Sequence, residues 1–327
     1  MTCPGDEERK EGGPEPSGPL CPSAVLTFRS GFVALLGRPN VGKSSLVNRM
    51  LDDKLCIVSP VPQTTRHAIR CIRTTDRSQM VFVDTPGLHE PRTALGTYMV
   101  DRVRKTLDEV DCLCLVLDAR RPQGGDEEKM LHAVLAGATT PLVVAVNKID
   151  GISLKEEAFD DLVAPWKGVN FVDALPVSAR TGENVGRLIS VLEAQLPVGE
   201  PWFPEDMVTD RSERFLAAEI VREKIFELAR DEIPHSVTVA VEEFKSPDEY
   251  HERETGYIRA TVYVEREGQK GILIGEGGRF LKRIGMAARG ELEARLGYPV
   301  YLELWIKVRA GWRRSPRDLK HFGYDET

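Results

Sequence analysis

The fold is decided by the stretch Gly37-Arg38-Pro39-Asn40-Val41-Gly42-Lys43-Ser44, which matches the pattern G-x-x-x-x-G-K-[ST]. Residues 31–36 before it form a short apolar run typical of a strand, and residues 43–51 have the pattern of a helix. Glycines allow backbone N–H groups to wrap around phosphate oxygens, and the start of a helix adds further donors. We therefore predict a phosphate-binding loop, in which Lys43 bridges two phosphates and the Ser44 hydroxyl ligates Mg²⁺.

The first part of the chain alternates between strand and helix patterns. Strands are predicted at residues 31–36, 80–83, 111–117, 142–146 and 175–177, and helices at 43–51, 98–110, 127–136 and 185–196. Strands that are apolar throughout favour a parallel sheet with helices on both faces, and such sheets bind ligands beyond the carboxyl ends of their strands. Residues 24–200 are therefore predicted to form an α/β domain with a doubly wound, mostly parallel sheet.

Composition narrows the class of protein. The 327 residues suggest about two domains, and the apolar share of 41%, the charged share of 29% and the net charge of −7 are ordinary for a globular chain. No run of 18 apolar residues occurs, so no transmembrane segment is predicted. Residues 1–23 are rich in Gly, Pro and acidic residues and are predicted to form a disordered extension. The cysteines include no CxxC pair, which favours buried, reduced thiols over a zinc site.

Two further motifs follow predicted strands. Asp84-Thr85-Pro86-Gly87 offers a carboxylate that can hold Mg²⁺ and, at Gly87, an N–H group that can contact a γ-phosphate. Asn147-Lys148-Ile149-Asp150 follows the strand at 142–146. A carboxylate only accepts hydrogen bonds, so Asp150 can take the N1–H and N2 amino groups of guanine, whereas adenine offers no donors there. We expect Asp150 to select GTP over ATP, with a backbone N–H of Ser178-Ala179 near guanine O6.

A candidate switch lies between these motifs, at residues 62–67 (Pro-Gln-Thr-Thr-Arg-His). A threonine in a mobile loop can ligate Mg²⁺ only while the γ-phosphate is present, which makes an order–disorder switch. Thr64 and Thr65 both fit this role. Leu88 follows Gly87 at the place where Ras-like GTPases carry a water-orienting glutamine, and leucine makes no side-chain hydrogen bond. Intrinsic hydrolysis should therefore be slow, with water held by the backbone, by another side chain such as His89, or by a partner.

A second, smaller domain is predicted after residue 200. Residues 201–212 are Pro-rich and are predicted to be a linker, and residues 213–327 are predicted to form an α+β domain with a C-terminal tail. The predicted order is a helix at 213–230, strands at 237–244 and 257–265, a helical stretch at 270–296 with a glycine interruption, and a strand at 300–308. No motif of the first domain recurs, so the chain is not an internal duplication.

The glycine interruption reads Gly275-Glu276-Gly277-Gly278, between an apolar run and an amphipathic helix. This arrangement resembles a KH domain of the bacterial type II, in which a G-x-x-G loop lets a nucleic-acid backbone approach closely. Residues 270–320 carry a net charge of +7 and residues 231–267 a net charge of −6, which favours one RNA-binding face. The acidic side chain of Glu276 is unfavourable beside phosphates. It either turns away from the RNA or contacts a base edge, or the affinity depends on nearby basic residues, which include Lys270.

The candidate residues come from these motifs and from the tail. The predicted nucleotide-binding residues are Gly37, Arg38, Pro39, Asn40, Val41, Gly42, Lys43, Ser44, Ser45, Asp84, Thr85, Pro86, Gly87, Leu88, Asn147, Lys148, Ile149, Asp150, Ser178 and Ala179. The predicted RNA contacts are Ile274, Gly275, Glu276, Gly277, Gly278, Arg279, Lys282, Arg283, Trp312 and Arg313. The ring of Trp312 suits stacking on bases, although packing inside the domain is an equally good interpretation.

A guanine-nucleotide domain with Q-T-T-R-H in its switch, followed by one KH domain and a W-R…G-Y tail, resembles the Era family of bacterial GTPases over roughly residues 25–324. The resemblance implies Mg²⁺-dependent GTP hydrolysis, binding near the 3′ end of 16S ribosomal RNA, and a role in assembly of the 30S ribosomal subunit. By the same resemblance Thr65, rather than Thr64, joins Ser44 and Asp84 as a magnesium ligand. Lys43, Thr65 and Gly87 are then the expected catalytic residues.

The resemblance also implies a cytoplasmic protein with peripheral contact to the inner membrane, and we expect a monomer. Two other classes stay open on the residues alone. One is a kinase or ATPase that uses ATP on the same loop, and the other is an RNA chaperone with a vestigial nucleotide pocket. The presence of Lys43, Ser44 and Asp84 argues against the vestigial pocket.

Overall fold

The computed structural model describes residues 27–121, 124–249 and 254–324. The predicted extension at residues 1–23 lies outside these ranges. The four cysteines within them are buried and free, in agreement with the prediction of reduced thiols. Among the helices that the structure describes, none is both long enough and apolar enough to cross a membrane.

The first domain is a six-stranded sheet with helices on both faces, as predicted. Its elements are β1 (Arg29–Leu36), α1 (Lys43–Leu51), β2 (Ile69–Thr74), β3 (Ser78–Asp84), α2 (Ala94–Leu107), β4 (Cys112–Asp118), α3 (Asp126–Leu135), β5 (Leu142–Asn147), α4 (Glu156–Val163), β6 (Phe171–Pro176) and α5 (Val185–Gln195). The strand order is β2-β3-β1-β4-β5-β6, and every neighbouring pair is parallel except β2 with β3.

Two apolar cores lie on the two faces of this sheet. Leu46 of α1 and Leu188 of α5 pack on one face, and Val103 of α2 and Leu131 of α3 pack on the other. Every residue of β4 and β5 is buried, because central parallel strands are covered on both sides. Because β1, β3, β4, β5 and β6 run parallel, their carboxyl ends lie at one edge of the sheet, where all the predicted nucleotide motifs begin.

The second domain has the predicted order of a helix, two strands, two helices and a strand, with two short helices added. Its elements are α6 (Glu213–Leu228), α7 (Ile233–Ser236), β7 (Thr238–Lys245), β8 (Gly256–Val264), α8 (Glu267–Ile274), α9 (Arg279–Leu296), β9 (Val300–Val308) and α10 (Pro316–His321). The sheet order is β7-β8-β9, with β7 antiparallel and β9 parallel to β8. Its core lies between this sheet and the helices α6 and α9.

The predicted linker is bonded to the first domain along much of its length. The side-chain oxygen of Gln79 accepts hydrogen bonds from the backbone N–H groups of Trp202 and Phe203, at 2.7 and 2.9 Å, and its amide donates to the carbonyl of Phe203. Further along, the N–H of Ile72 donates to the carbonyl of Val208. Residues 201–212 therefore follow the edge of the first sheet rather than spanning open solvent.

Candidate nucleotide site and nucleic-acid surface

The loop between β1 and α1 has a shape that its glycines impose. Gly37 and Gly42 have φ angles of 145° and 97°, in the region that side chains disfavour. A Cβ at Gly37 would lie 2.5 Å from the carbonyl oxygen of Val116, and one at Gly42 would lie 2.4 Å from Nδ2 of Asn147. No side chain caps the start of α1, so its first N–H groups remain available as donors for an anion.

Lys43 closes this loop from beneath. Its ammonium group donates to the carbonyl oxygens of Gly37 and Arg38, each at 3.2 Å. Burial lowers the pKa of Lys43 to about 8, although the carboxylates of Asp84 and Glu127 oppose that shift. A phosphate placed at the loop would offset the burial of this charge, which is the arrangement expected of a lysine that binds phosphate.

The three predicted magnesium ligands converge. Ser44 Oγ donates to Oδ2 of Asp84 at 2.6 Å, Thr65 Oγ1 donates to the same oxygen at 3.2 Å, and the two hydroxyl oxygens are 2.9 Å apart. Asp84 is fully buried, its burial raises its pKa, and its Oδ1 has no hydrogen-bond partner among the residues that the structure describes. A buried, unpartnered carboxylate oxygen beside two hydroxyls fits a hard cation that prefers oxygen ligands. Thr64 instead donates to the carbonyl of Val61 in its own loop.

A cavity of about 500 Å³ lies above these groups. Its lining joins the phosphate loop to residues 57–60 and 63–65, and it includes Gly87 and Lys148. Gly87 approaches the loop closely, because a Cβ there would lie 2.8 Å from the backbone nitrogen of Pro39. This space is large enough for the phosphate end of a nucleotide and is bordered by the predicted switch.

Several predicted nucleotide residues do not line this cavity, and Leu88 and Arg38 are two of them. The side chain of Leu88 packs in the apolar core under α2, and its N–H donates to the carbonyl of Gly37. Burial in that core stabilises an apolar side chain more than exposure to a polar cavity does. The prediction that Leu88 contacts the nucleotide is therefore wrong for its side chain. Arg38 extends to the ion pair with Glu127, at 2.8 Å, and borders a separate cavity.

Hydrogen bonds connect the predicted guanine motif to the phosphate loop and to Ser178 and Ala179. Asn147 donates from Nδ2 to the carbonyl of Val41 and accepts at Oδ1 from the N–H of Ala179, at 3.0 Å. The Ala179 N–H, expected near guanine O6, is therefore already bonded within the protein. Asp150 accepts from Ser178 Oγ at 2.8 Å, and this hydrogen bond, with the charges of Arg180 and Arg120, lowers the pKa of Asp150.

Asp118, at the end of β4, is a site residue that the sequence analysis missed. Its Oδ2 accepts from Lys148 Nζ at 2.8 Å, so it holds the lysine of the guanine motif beside the phosphate loop. The signal was present in the sequence, because Asp118 is a carboxylate at the carboxyl end of an apolar strand, like Asp84.

The G-x-x-G loop connects α8 to α9 and exposes its backbone. Gly277 and Gly278 have φ angles of 58° and 78°, and a Cβ at either would meet nothing within 4 Å. Gly275 has a structural reason instead, since a Cβ there would lie 2.7 Å from the Cβ of Phe280. Glu276 and Arg279 are both largely exposed and form an ion pair at 3.6 Å, which offsets the acidic charge in the loop.

A groove of about 420 Å³ runs from this loop between α9 and β9. Gly278 and Lys282 line it, as predicted contacts, whereas Arg283 is exposed on α9 outside the lining. Met286, Arg289 and Tyr301 also line it and were missed. Positions 278, 282, 285 and 289 lie on one face of a helix, and that spacing was the available signal.

The tail does not form part of this groove. Trp312 is completely buried and donates from Nε1 to the carbonyl of Ser236 at 2.9 Å, so its predicted stacking on RNA is wrong for this conformation. Its large apolar ring is stabilised by burial among Leu95, Leu319 and Tyr324. Arg313 forms an ion pair with Glu265 and borders the cavity between the two domains, so it too lies away from the groove.

Comparison with known proteins matches both domains. A family described as a 50S ribosome-binding GTPase matches residues 32–148, and a family described as a KH domain matches residues 232–313. Two similar solved structures are Era in complex with MgGDPNP and nucleotides 1506–1542 of 16S ribosomal RNA, and a variant of Aquifex aeolicus Era bound to GDP·AlF4⁻. Each is 39% identical, has a TM-score of 0.86, and covers 91% of this chain and 100% of the solved chain.

That identity extends over both domains in the same order, and the predicted phosphate and guanine motifs converge here at one edge of the sheet. The chain is therefore a GTPase of the Era family, in which a P-loop GTPase domain precedes a KH domain.

Proposed function

We propose that this protein binds the 3′-end region of 16S ribosomal RNA through its KH groove, under the control of GTP and Mg²⁺, and acts in assembly of the 30S subunit. The observation that carries the proposal is the whole-length match to an Era that holds MgGDPNP and an RNA segment together. Both corresponding surfaces are built in this chain: the cavity at the phosphate loop and the groove beside the G-x-x-G loop.

The residues of the first domain have distinct roles in hydrolysis. Ser44, Thr65 and Asp84 would hold Mg²⁺, which would supply charge neutralisation on the β- and γ-phosphates when bound. Lys43 would exchange its two carbonyl acceptors for phosphate oxygens, and the Gly87 N–H would lie near the γ-phosphate. Because Leu88 is buried in the core, it positions no water. Intrinsic hydrolysis is therefore slow, and the rate rises when a partner helps to order the site.

The nucleotide state controls the affinity for RNA through the loop that carries Thr65. Thr65 would join Ser44 and Asp84 in holding Mg²⁺ while GTP is bound, and it would lose that role after hydrolysis. A ligand shifts such an equilibrium only by its differential affinity for the two states, so RNA affinity differs between the GTP-bound and GDP-bound forms.

A nucleotide competition experiment with purified full-length protein tests the proposal. The wild type is expected to bind GTP on the order of 10⁴-fold more tightly than ATP, because adenine would leave Asp150 unpaired. Asp150→Asn should shift preference from GTP toward xanthosine triphosphate. Equal affinity for GTP and ATP would favour an ATP-using enzyme, and binding of RNA without any phosphate release would favour an RNA chaperone.

Location and assembly state belong to the proposal as well. Family resemblance supports a cytoplasmic monomer with peripheral contact at the inner membrane. Fractionation of cells that express the tagged protein, with a salt wash of the membranes, tests this part. Recovery of a fraction that salt releases from membranes would support peripheral contact, and its absence would refute that contact.

A further inference from the structure

The loop between α1 and β2, residues 52–68, belongs to the GTPase domain and contacts the KH domain. We call it the switch loop. Its inner part, residues 57–60 and 63–65, lines the nucleotide cavity. The two ends of this inner part are bonded to KH-domain residues. These anchors carry an inference that goes beyond the nucleotide contacts and rests on the magnesium role proposed for Thr65.

The first anchor is Arg66, which directly follows Thr65. Arg66 is only 2% exposed, and its guanidinium donates to the carbonyls of Val237, Pro234 and His235 at 2.5, 3.2 and 3.3 Å. All three acceptors lie in α7 or immediately after it, and the carbonyls at a helix end are the ones that lack partners within the helix. Burial of a guanidinium without such partners carries a large desolvation penalty, so the three carbonyls account for its position.

Aromatic rings complete a socket around Arg66. Its guanidinium carbon lies 5.8 Å from the ring centre of Phe226 on α6 and 5.7 Å from that of Trp312 in the tail. Trp312 is itself held by its hydrogen bond to the carbonyl of Ser236. The ring of His67 stacks on Tyr324 with a centroid distance of 4.5 Å and an interplanar angle of 9°. The burial of the tail aromatics is thus explained by the switch loop, since they enclose Arg66 and His67.

The second anchor is Glu223 of α6, which is completely buried. It accepts a hydrogen bond from the Val58 N–H at 2.8 Å and forms an ion pair with Lys54 at 2.6 Å. Lys54 also pairs with Glu291 of α9 at 2.6 Å. Since α9 begins at Arg279, beside the G-x-x-G loop, and Glu291 lies twelve residues further along, about 18 Å of continuous helix connects that loop to the contact with Lys54.

We propose that Arg66 is a positioning residue for Thr65, and that the KH-domain socket sets where the Thr65 hydroxyl lies relative to Ser44 and Asp84. Consecutive Cα atoms are about 3.8 Å apart, so Arg66 cannot leave its socket without moving Thr65. The coupling also acts in the opposite direction: a change in the KH domain that alters the socket or the Glu223 contact moves Thr65. RNA bound at the groove therefore acts on hydrolysis through these two anchors.

The contacts in this socket require the guanidinium group of an arginine. Lysine has a compact ammonium group on a flexible stem and lacks the planar fork that reaches several carbonyls and lies between rings. Arg66→Lys keeps the charge and most of the length, and it removes this geometry. Arg70→Lys is the matched control, because Arg70 lies four residues further along, is 44% exposed, and pairs with Asp210 at 3.3 Å on the surface.

The test compares full-length wild type, Arg66→Lys and Arg70→Lys. Arg66→Lys should lower kcat for GTP by about tenfold or more, as expected when a catalytic group is misplaced by about 1 Å. GDP affinity and the KM for GTP should change by less than about twofold, because the phosphate loop and Asp150 are untouched. Hydrogen exchange provides a readout besides activity: Mg²⁺ with a non-hydrolysable GTP analogue should protect residues 57–67 in the wild type and control but not in Arg66→Lys.

Wild-type kcat and wild-type protection in Arg66→Lys would overturn the inference. Loss of GDP affinity in parallel with kcat would also overturn it, because that pattern indicates general structural damage. If Arg66→Lys fails to fold, Trp312→Leu tests the same socket by removing the ring face, with a smaller loss of kcat expected and unchanged kcat contradicting the idea. A wild type that hydrolyses no GTP would instead refute the proposed function, so the two failures are distinguishable.

Discussion

Stability at the contact between the domains should fall in mild acid because of His67. Burial lowers the pKa of His67 from its usual 6.5 to about 4, and the nearby cations Arg222, Arg211 and Arg66 act in the same direction, whereas Glu219 opposes them. The unfolded chain therefore takes up a proton near pH 6.5 that the folded chain refuses until about pH 4. Stability from this residue is complete above pH 6.5 and is lost as the pH falls from 6.5 to 4.

The expected size follows from these two values. Between pH 7.5 and pH 5, proton linkage at His67 should remove about 2 kcal/mol from the free energy of unfolding. His67→Phe keeps an aromatic ring against Tyr324 and cannot titrate. Urea unfolding of the nucleotide-free proteins, followed by tryptophan fluorescence, should show that the wild type loses about 2 kcal/mol more than His67→Phe over this pH range. Equal losses in the two proteins would refute the assignment of a buried, neutral His67.

Three further outcomes are expected. Gly277→Asp should abolish RNA binding and leave GTP affinity unchanged, because its Cβ meets open space while its charge faces phosphates; filter binding measures this, and unaltered RNA affinity would refute the loop assignment. Glu276→Lys should tighten RNA binding and steepen its salt dependence by about 0.7 in log–log slope for each added phosphate contact; an unchanged slope contradicts it. GTP binding at pH 9 should take up a proton, since phosphates raise the pKa of Lys43 from about 8; calorimetry in two buffers detects this, and no uptake contradicts it.

The nucleotide edge was predictable because its motifs carry their own structural context. A strand, a glycine loop with Lys43 and a helix fix one another locally, and parallel topology brings Asp84 and Asp150 to the same edge. The missed elements of the first domain were β2 and α4. The sequence of β2 is Ile-Arg-Cys-Ile-Arg-Thr, in which charged residues interrupt the apolar pattern because β2 is an edge strand with partial exposure. In α4 only Val163 is buried, so its apolar periodicity is weak.

The contacts between the domains could not be predicted from the sequence. Within the first domain, Thr64 and Thr65 are adjacent and chemically equal, so the residues alone left both open; the resemblance favoured Thr65, and the fold places its hydroxyl beside Asp84. Likewise, a Trp-Arg-Arg tail has the composition of an RNA contact. Its Trp312 is instead buried, and the ring lies 5.7 Å from the guanidinium carbon of Arg66, which is 246 positions earlier in the chain. Such pairings depend on tertiary placement, which has no local signature.

The step on which the proposed function depends is the control of RNA binding in the KH domain by the bound nucleotide. Its most direct test is a titration of the full-length protein with an RNA that carries the 3′ end of 16S ribosomal RNA, at fixed salt and Mg²⁺. The dissociation constant is expected to be lower with a non-hydrolysable GTP analogue than with GDP, by about fivefold or more. Equal dissociation constants in the two states would contradict it.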